Sequence, residues 1–170
     1  ERISEERTQV IWKEAIVHFE DYMEHLTDSG EKSPLNVYRD EISDRCFHAA
    51  EEENRLYRLT VPTGAGKTFS SLRFALHHAK KYHKRHIIYV APYNSILEQN
   101  AEDIRKAVGN EEFVLEHHCN IFYEDENKEL LYKKLTESWD SPIIVTTAVQ
   151  MLNTLFSAQK SSIRRMYNLC

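Results

Sequence analysis

The run Leu59-Thr60-Val61-Pro62-Thr63-Gly64-Ala65-Gly66-Lys67-Thr68-Phe69 limits what this chain can fold into more than any other stretch. An apolar, β-prone segment from Leu56 to Val61 leads into it, and Leu72, Ala75 and Ala79 recur behind it at helical spacing. Strand, glycine turn and helix in that order form the setting of a phosphate-binding loop. Gly64 and Gly66 carry no Cβ, so the turn can take unusual backbone angles and lie against a phosphate. The N–H groups from Gly64 to Thr68 are expected to point at a β-phosphate, helped by the positive end of the helix dipole. Lys67 brings a point charge for the β- and γ-phosphates, and the Thr68 hydroxyl brings a ligand for Mg²⁺. The spacing therefore predicts a nucleoside-triphosphate site for ATP and Mg²⁺, built from Pro62, Thr63, Gly64, Ala65, Gly66, Lys67 and Thr68. Lys67 and Thr68 are its catalytic candidates.

One position departs from the full loop pattern. A glycine, four residues and Gly-Lys-Ser/Thr would place glycine where this chain has Val61. That argues against small kinases and G-protein-like enzymes. The looser Pro-Thr-Gly-x-Gly-Lys-Thr form is similar to that of helicases with RecA-like domains.

A chain of 170 residues suits one compact domain with room for a helical extension. Hydrophobic residues at 41% and charged residues at 29% give an ordinary globular balance. No apolar run approaches a membrane span, and Glu-Arg-Ile-Ser-Glu-Glu is no signal peptide, so a cytoplasmic location without membrane contact is expected. The net charge of −5 means that nucleic acid could be held only by a local patch. Cys46, Cys119 and Cys170 are odd in number and far apart, which fits a reducing compartment and offers neither a disulfide framework nor zinc spacing. The nine histidines lack cysteine or carboxylate companions at ligand spacing.

Ser4, with Glu5 and Glu6 after it, starts a helix that carries Ile11, Ala15, Phe19, Tyr22 and Leu26 on one face and stops at Ser29-Gly30. This helix can pack on the body or connect to a preceding domain. A polar link from Gly30 to Pro34 follows, so residues 1–33 read as an extension and 34–170 as the main domain. Asn36 is expected to cap a second helix that buries Tyr38, Ile42, Cys46 (or Phe47) and Ala49. Asn36 and Arg39 stand just upstream of the loop and are candidates for contact with adenine, with a surface ion pair as the other reading of Arg39. Lys80–Arg85 reads as cations at a helix C-terminus and a solvated turn.

His86–Ala91, Phe113–His118 and Pro142–Thr147 are near-continuous apolar runs, as expected of parallel strands covered on both faces. With Leu56–Val61 they make four strands. Ser95-Ile96-Leu97-Glu98 reads as a capping box, Tyr123–Asn127 as an acidic loop, and helices are expected near Lys128–Thr136, behind Thr147, and up to Leu169. The alternation predicts an α/β fold, a RecA-like domain with a parallel sheet and helices on both faces. Ligands of such sheets bind at the carboxyl ends of the strands, where Pro62–Thr68, Pro92–Ser95, His117–Asn120 and Thr146–Ala148 would meet.

Val-Pro-Thr-Gly-Ala-Gly-Lys-Thr, Ile-Ile-Tyr-Val-Ala-Pro-Tyr-Asn-Ser-Ile-Leu-Glu-Gln-Asn-Ala, Leu-Glu-His-His and Ile-Ile-Val-Thr-Thr-Ala-Val-Gln-Met-Leu occur in that order. Together they resemble helicase motifs I, Ia and Ib of the type I CRISPR-associated helicase–nuclease, which the Cascade surveillance complex recruits. The resemblance runs from about Asn36 to the C-terminus. It implies an ATP-driven translocase on single-stranded DNA, moving three-prime to five-prime, that unwinds and degrades invader DNA. Independently of it, a strand tracked without sequence preference is held through phosphates and stacking. Helix N-termini with free amides and hydroxyls suit that task. Pro92, Tyr93, Asn94, Ser95, Gln99, Thr146 and Thr147 are the expected DNA track. Tyr93 can stack on a base or pack on a strand, and the two threonines can cap a helix, contact phosphate, or do both.

Three parts of that family are not found here: an Asp-Glu box, a second RecA-like domain with arginine fingers, and a histidine-aspartate nuclease domain. The chain is then expected to be most of a first motor domain, weak in nucleotide binding and nearly inactive alone. A different P-loop phosphotransferase and a non-catalytic docking fragment for Cascade or another protein are the competing readings.

Overall fold

The computed structural model describes residues 4–28, 33–118 and 126–169. Helix α1 (Glu5–Asp28) starts where expected, with the Arg7 N–H donating to Ser4 Oγ at 3.3 Å and Glu5 and Glu6 in the first turn. It buries Ile11, Trp12, Ala15, Ile16 and Phe19, while Leu26 at its end stays exposed. Trp12 has no accessible surface, and its Nε1–H donates to the Lys84 carbonyl at 2.7 Å. Residues 29–32 of the expected link lie outside the described residues.

Helix α2 (Pro34–Ala49) begins three residues earlier than expected. Ser33, not Asn36, is the cap, and the Asn36 N–H donates to Ser33 Oγ at 3.3 Å. Pro34 explains the shift: its fixed φ and missing N–H suit the first helical position. The buried stripe is Ser43, Cys46 and Ala50; of the expected face Cys46 is buried and Ile42, Phe47 and Ala49 are half-buried, but Tyr38 is 63% exposed. The difference follows from what α2 packs on, which is not the sheet but helix α3 (Lys67–Lys81). Arg73 of α3 fixes that seam. Its guanidinium makes a fork on Glu20 of α1 at 2.9 and 2.8 Å and reaches Asp44 of α2 at 2.9 Å. His77 adds a 2.9 Å contact to Glu20; burial alone would raise the Glu20 carboxyl, but the hydrogen bonds from His77 and Arg73 and the Arg73 charge outweigh it and hold the group below its usual range.

Three parallel strands form the sheet: β1 (Ile87–Ala91), β2 (Val114–His117) and β3 (Ile143–Thr147), in the order β1-β3-β2. The register sets Ala91 beside Thr147, and His117 beside Thr146. The expected strand at Leu56–Val61 is absent from the ladder, and Leu56 is 88% exposed. A β-prone composition needs a partner edge, and that segment is paired with none of the three strands.

All five residues of β3 are buried, and they alternate between two cores. Ile143 and Val145 join α1, α3 and helix α4 (Asn94–Val108) on one face. Ile144 meets Leu115 and Trp139 on the other, with helices α5 (Glu126–Ser138), α6 (Ala148–Phe156) and α7 (Lys160–Leu169) around them. Helices therefore cover both faces, as the alternation implied, and α1 is part of the first core. Helix α4 also differs in its start. Tyr93 is the N-cap and offers no side-chain bond, so the expected capping box at Ser95–Glu98 does not form. The helix simply begins two residues earlier, which places Ser95 inside the first turn.

Candidate nucleotide site and strand-edge surface

The loop between Val61 and α3 has the backbone its sequence demands. Gly64 has φ +83° and Gly66, the N-cap of α3, has φ +78°, both in the left-handed region where a side chain is strained. A Cβ at Gly64 would meet nothing within 4 Å, so this side of the loop faces open space. At Gly66 a Cβ would lie 3.6 Å from Arg39 Cγ, so the opposite side is backed by α2. The amides of Gly64, Gly66, Lys67 and Thr68 find no acceptor among the described residues, whereas Ala65 N–H reaches Pro62 O at 3.4 Å. Four free donors at a helix N-terminus, with Lys67 exposed beside them, suit a polyphosphate.

The loop forms one wall of a cavity of about 640 Å³. The first turns of α2 supply Asn36, Arg39 and Asp40, α4 supplies Gln99, Asn100 and Asp103, and the end of α1 supplies Met23 and Leu26. Of the loop residues, Thr63, Gly64, Gly66, Lys67 and Thr68 line it, and Ala65 is buried behind. Pro62 is exposed on the approach. Lys67 Nζ donates to the Val61 carbonyl at 3.2 Å. Arg39 donates through Nε and Nη2 to the Gly64 carbonyl at 3.0 and 2.8 Å, and through Nη1 to Asn36 Oδ1 at 3.3 Å. Both expected adenine candidates thus border the cavity, and the Arg39 side chain is engaged in holding the loop. The Thr68 hydroxyl donates to Asn100 Oδ1 at 3.2 Å. Sequence reasoning missed Asn100, although the signal is there: a polar residue stands in the buried stripe Leu97, Ala101, Ile104.

The residues expected along the strand ends separate into two groups. Pro92, Tyr93 and Ser95 are exposed, with Tyr93 at 68%, and Asn94 is half-buried. They surround the uncapped start of α4, whose first amides are open. Thr147 lies next to Ala91 in the ladder, so the start of α6 shares that edge. Its hydroxyl accepts the Gln150 N–H at 3.2 Å and it is 5% exposed. Thr146 is fully buried and donates to the His117 carbonyl at 2.9 Å. Both threonine side chains are therefore engaged within the fold. Gln99 lies on α4 but lines the cavity beside the glycine loop. His117 shares the edge, and its Nδ1 accepts the Trp139 Nε1–H at 3.1 Å. Burial, then the charges of Arg165 and His118, push its pKa down to about 4, so it is a neutral ring with the proton on Nε2. Asn120 and Cys119 lie outside the described residues.

Lys80–Arg85 sit at the far end of α3 from the loop. Lys81 pairs with Glu51 at 2.5 Å, as a cation of a helix C-terminus does, and His83 Nδ1 lies 3.2 Å from Glu5 Oε1. Among the described residues, no group of three His, Cys, Asp or Glu is placed to hold a metal. None of the described helices is long and apolar enough to cross a membrane.

A comparison with curated proteins finds no match. A comparison with protein families matches residues 31–168, which include the loop, both strand-edge turns and all three strands, to the type III restriction enzyme res subunit. This family is of the superfamily-two helicase type, an ATP-dependent motor class whose domains generally bind ATP with Mg²⁺. A glycine loop with free amides, backed by α2 and α4 on a parallel sheet, is what such a domain requires, and the chain belongs to the type III restriction enzyme res subunit family.

Proposed function

We propose that this chain is the ATP-binding first motor domain of a translocase on single-stranded DNA, acting in type I CRISPR interference, where the parent unwinds invader DNA three-prime to five-prime. The observation that carries the nucleotide part is the set of four unpartnered amides, Gly64, Gly66, Lys67 and Thr68, opening on a cavity with Lys67 at its rim. In this reading those amides and Lys67 hold the phosphates, and the Thr68 hydroxyl is a ligand of Mg²⁺, which supplies charge neutralisation at the phosphates. Arg39 keeps the Gly64 peptide turned so that the loop stays open toward the cavity. The DNA part rests on the exposed Pro92–Ser95 turn and the open N-terminus of α4, where backbone donors meet an exposed aromatic ring.

The CRISPR assignment is supported by the motif order Val61–Thr68, Ile87–Ala101 and Ile143–Leu152. Its partners in this reading are single-stranded DNA, the Cascade complex, a second RecA-like domain and a histidine-aspartate nuclease domain. A second reading, a docking fragment without catalysis, is favoured by α6, where Val149, Leu152 and Phe156 are exposed at 61%, 53% and 81%.

The experiment is a titration of this chain with a fluorescent ATP analogue and Mg²⁺, beside single-stranded DNA binding at low and moderate salt. Lys67→Ala is expected to weaken nucleotide binding at least tenfold, because one charge-assisted contact is worth about 1.5–3 kcal/mol. Tyr93→Ala is expected to weaken DNA binding and leave the nucleotide untouched. Unchanged nucleotide affinity in Lys67→Ala refutes the site, and protein capture without nucleotide affinity leaves the docking reading.

A further inference from the structure

We infer that Asn100 is a positioning residue for the metal-binding hydroxyl of Thr68, and that it thereby ties the nucleotide cavity to helix α4. The inference rests on the nucleotide reading above and goes beyond it, because neither loop pattern nor strand-edge motif assigns Asn100 a role.

A threonine hydroxyl has one proton and two lone pairs. For it to serve a cation, the proton must point away from the ion and the lone pairs toward it. Thr68 stands in the first turn of α3, where its hydroxyl has a competing acceptor four residues back, the Gly64 carbonyl. That carbonyl is already occupied by the Arg39 fork at 3.0 and 2.8 Å. The proton goes instead across the cavity wall to Asn100 Oδ1 at 3.2 Å. Asn100 is 8% exposed and set on the buried side of α4 between Leu97 and Ala101, so its amide has little freedom to follow the threonine. Thr68 and Asn100 both line the cavity, so the lone pairs left free are those on the cavity side.

The same bond has a mechanical meaning. Asn100 lies six residues beyond the first residue of α4, whose uncapped start carries the exposed Tyr93–Ser95 turn. Helix α4 packs on β1 and β3 through Leu97, Ala101 and Ile104, so it moves as a unit. A ligand that reoriented the Thr68 hydroxyl would therefore act on Asn100, and through it on the helix whose start presents Tyr93.

The test is equilibrium binding of a fluorescent ATP analogue to this chain with Mg²⁺ and with EDTA. Asn100→Leu keeps the volume and removes the acceptor. It is expected to weaken the Mg²⁺-dependent part of the affinity about fivefold to tenfold, as one lost hydrogen bond does, and to change the EDTA value less than twofold. Asn100→Asp keeps an acceptor at the same place and is expected to retain the Mg²⁺ dependence. In a Thr68→Val background, Asn100→Leu is expected to add less than twofold, because the bond is already gone. Equal losses with Mg²⁺ and with EDTA, or full additivity of the two substitutions, would assign Asn100 to packing and overturn the inference. A wild-type chain that binds no nucleotide in either buffer removes the nucleotide reading itself, and with it this role for Asn100.

Discussion

Trp12 decides whether α1 belongs to the body of this domain. Its indole is fully enclosed between α3 and α4 in the larger core, and its Nε1–H ends on the Lys84 carbonyl at 2.7 Å, in the turn between α3 and β1. Truncation to alanine removes the ring from a close-packed site and leaves that carbonyl without its donor. Buried tryptophan truncations cost about 3–5 kcal/mol, against about 5–15 kcal/mol for a whole domain. For a chain of this size each kcal/mol lowers the melting temperature by roughly 2–4 °C, so Trp12→Ala should lose about 6–20 °C. Trp12→Phe keeps most of the apolar surface and loses the donor, and about 1–2 kcal/mol is expected. Circular dichroism melts and urea titrations of the three proteins check the order. A Trp12→Ala protein within about 1 kcal/mol of wild type, with unchanged urea slope, would mean that α1 is not held by the body, and the packing argument fails.

Gly109 ends α4 at φ +71°, and a Cβ there would lie 2.6 Å from His18 Cγ. Gly109→Ala is therefore expected to cost about 2–3 kcal/mol, of which about 1 kcal/mol is backbone strain that persists in a His18→Ala background. Thermal melts of the single and double variants read this directly, and an unshifted Gly109→Ala melt refutes it. His117 gives a pH signature. Its folded pKa, pushed down to about 4, lies below the ordinary 6.5, so the unfolded chain takes up the proton first. Its contribution is complete above about 6.5 and is lost as pH falls from there to 4. Urea midpoints across that window should drop for wild type and drop less for His117→Gln, up to about 3 kcal/mol in the limit. A flat profile in both proteins refutes it.

The three strands inside β1–β3 were legible because each is an apolar run on a sheet buried on both sides, and such runs read alike whatever the neighbours. Leu56–Val61 is β-prone as well, though interrupted by Arg58, and is not a strand, since composition cannot report whether an edge is available to pair. The α2 cap was misplaced because Asn36 and Ser33 are both good caps, and the deciding residue is Pro34, whose ring suits the first turn. Trp12 is invisible to a periodic count that follows Ile11 and Ala15, yet it is the largest fully buried side chain of α1. At the site, the loop could be read residue by residue because backbone angles and glycine are locally linked. The engagement of Arg39 with Gly64, of Thr68 with Asn100, and of Thr146 with His117 joins residues 25, 32 and 29 positions apart, and local pattern carries no record of such pairs.

The strand order has a consequence for how the chain is made. Among the described strands, β1 and β2 do not pair with each other; each pairs with β3, which is made after both. Until Ile143–Thr147 emerges, the first two strands wait with bare edges, while α1 to α4 and then α5 can begin to assemble around them. Arrival of one pentapeptide then closes both ladders and both cores together, so a pause in translation shortly before Ile143 would hold the nascent domain at its stickiest.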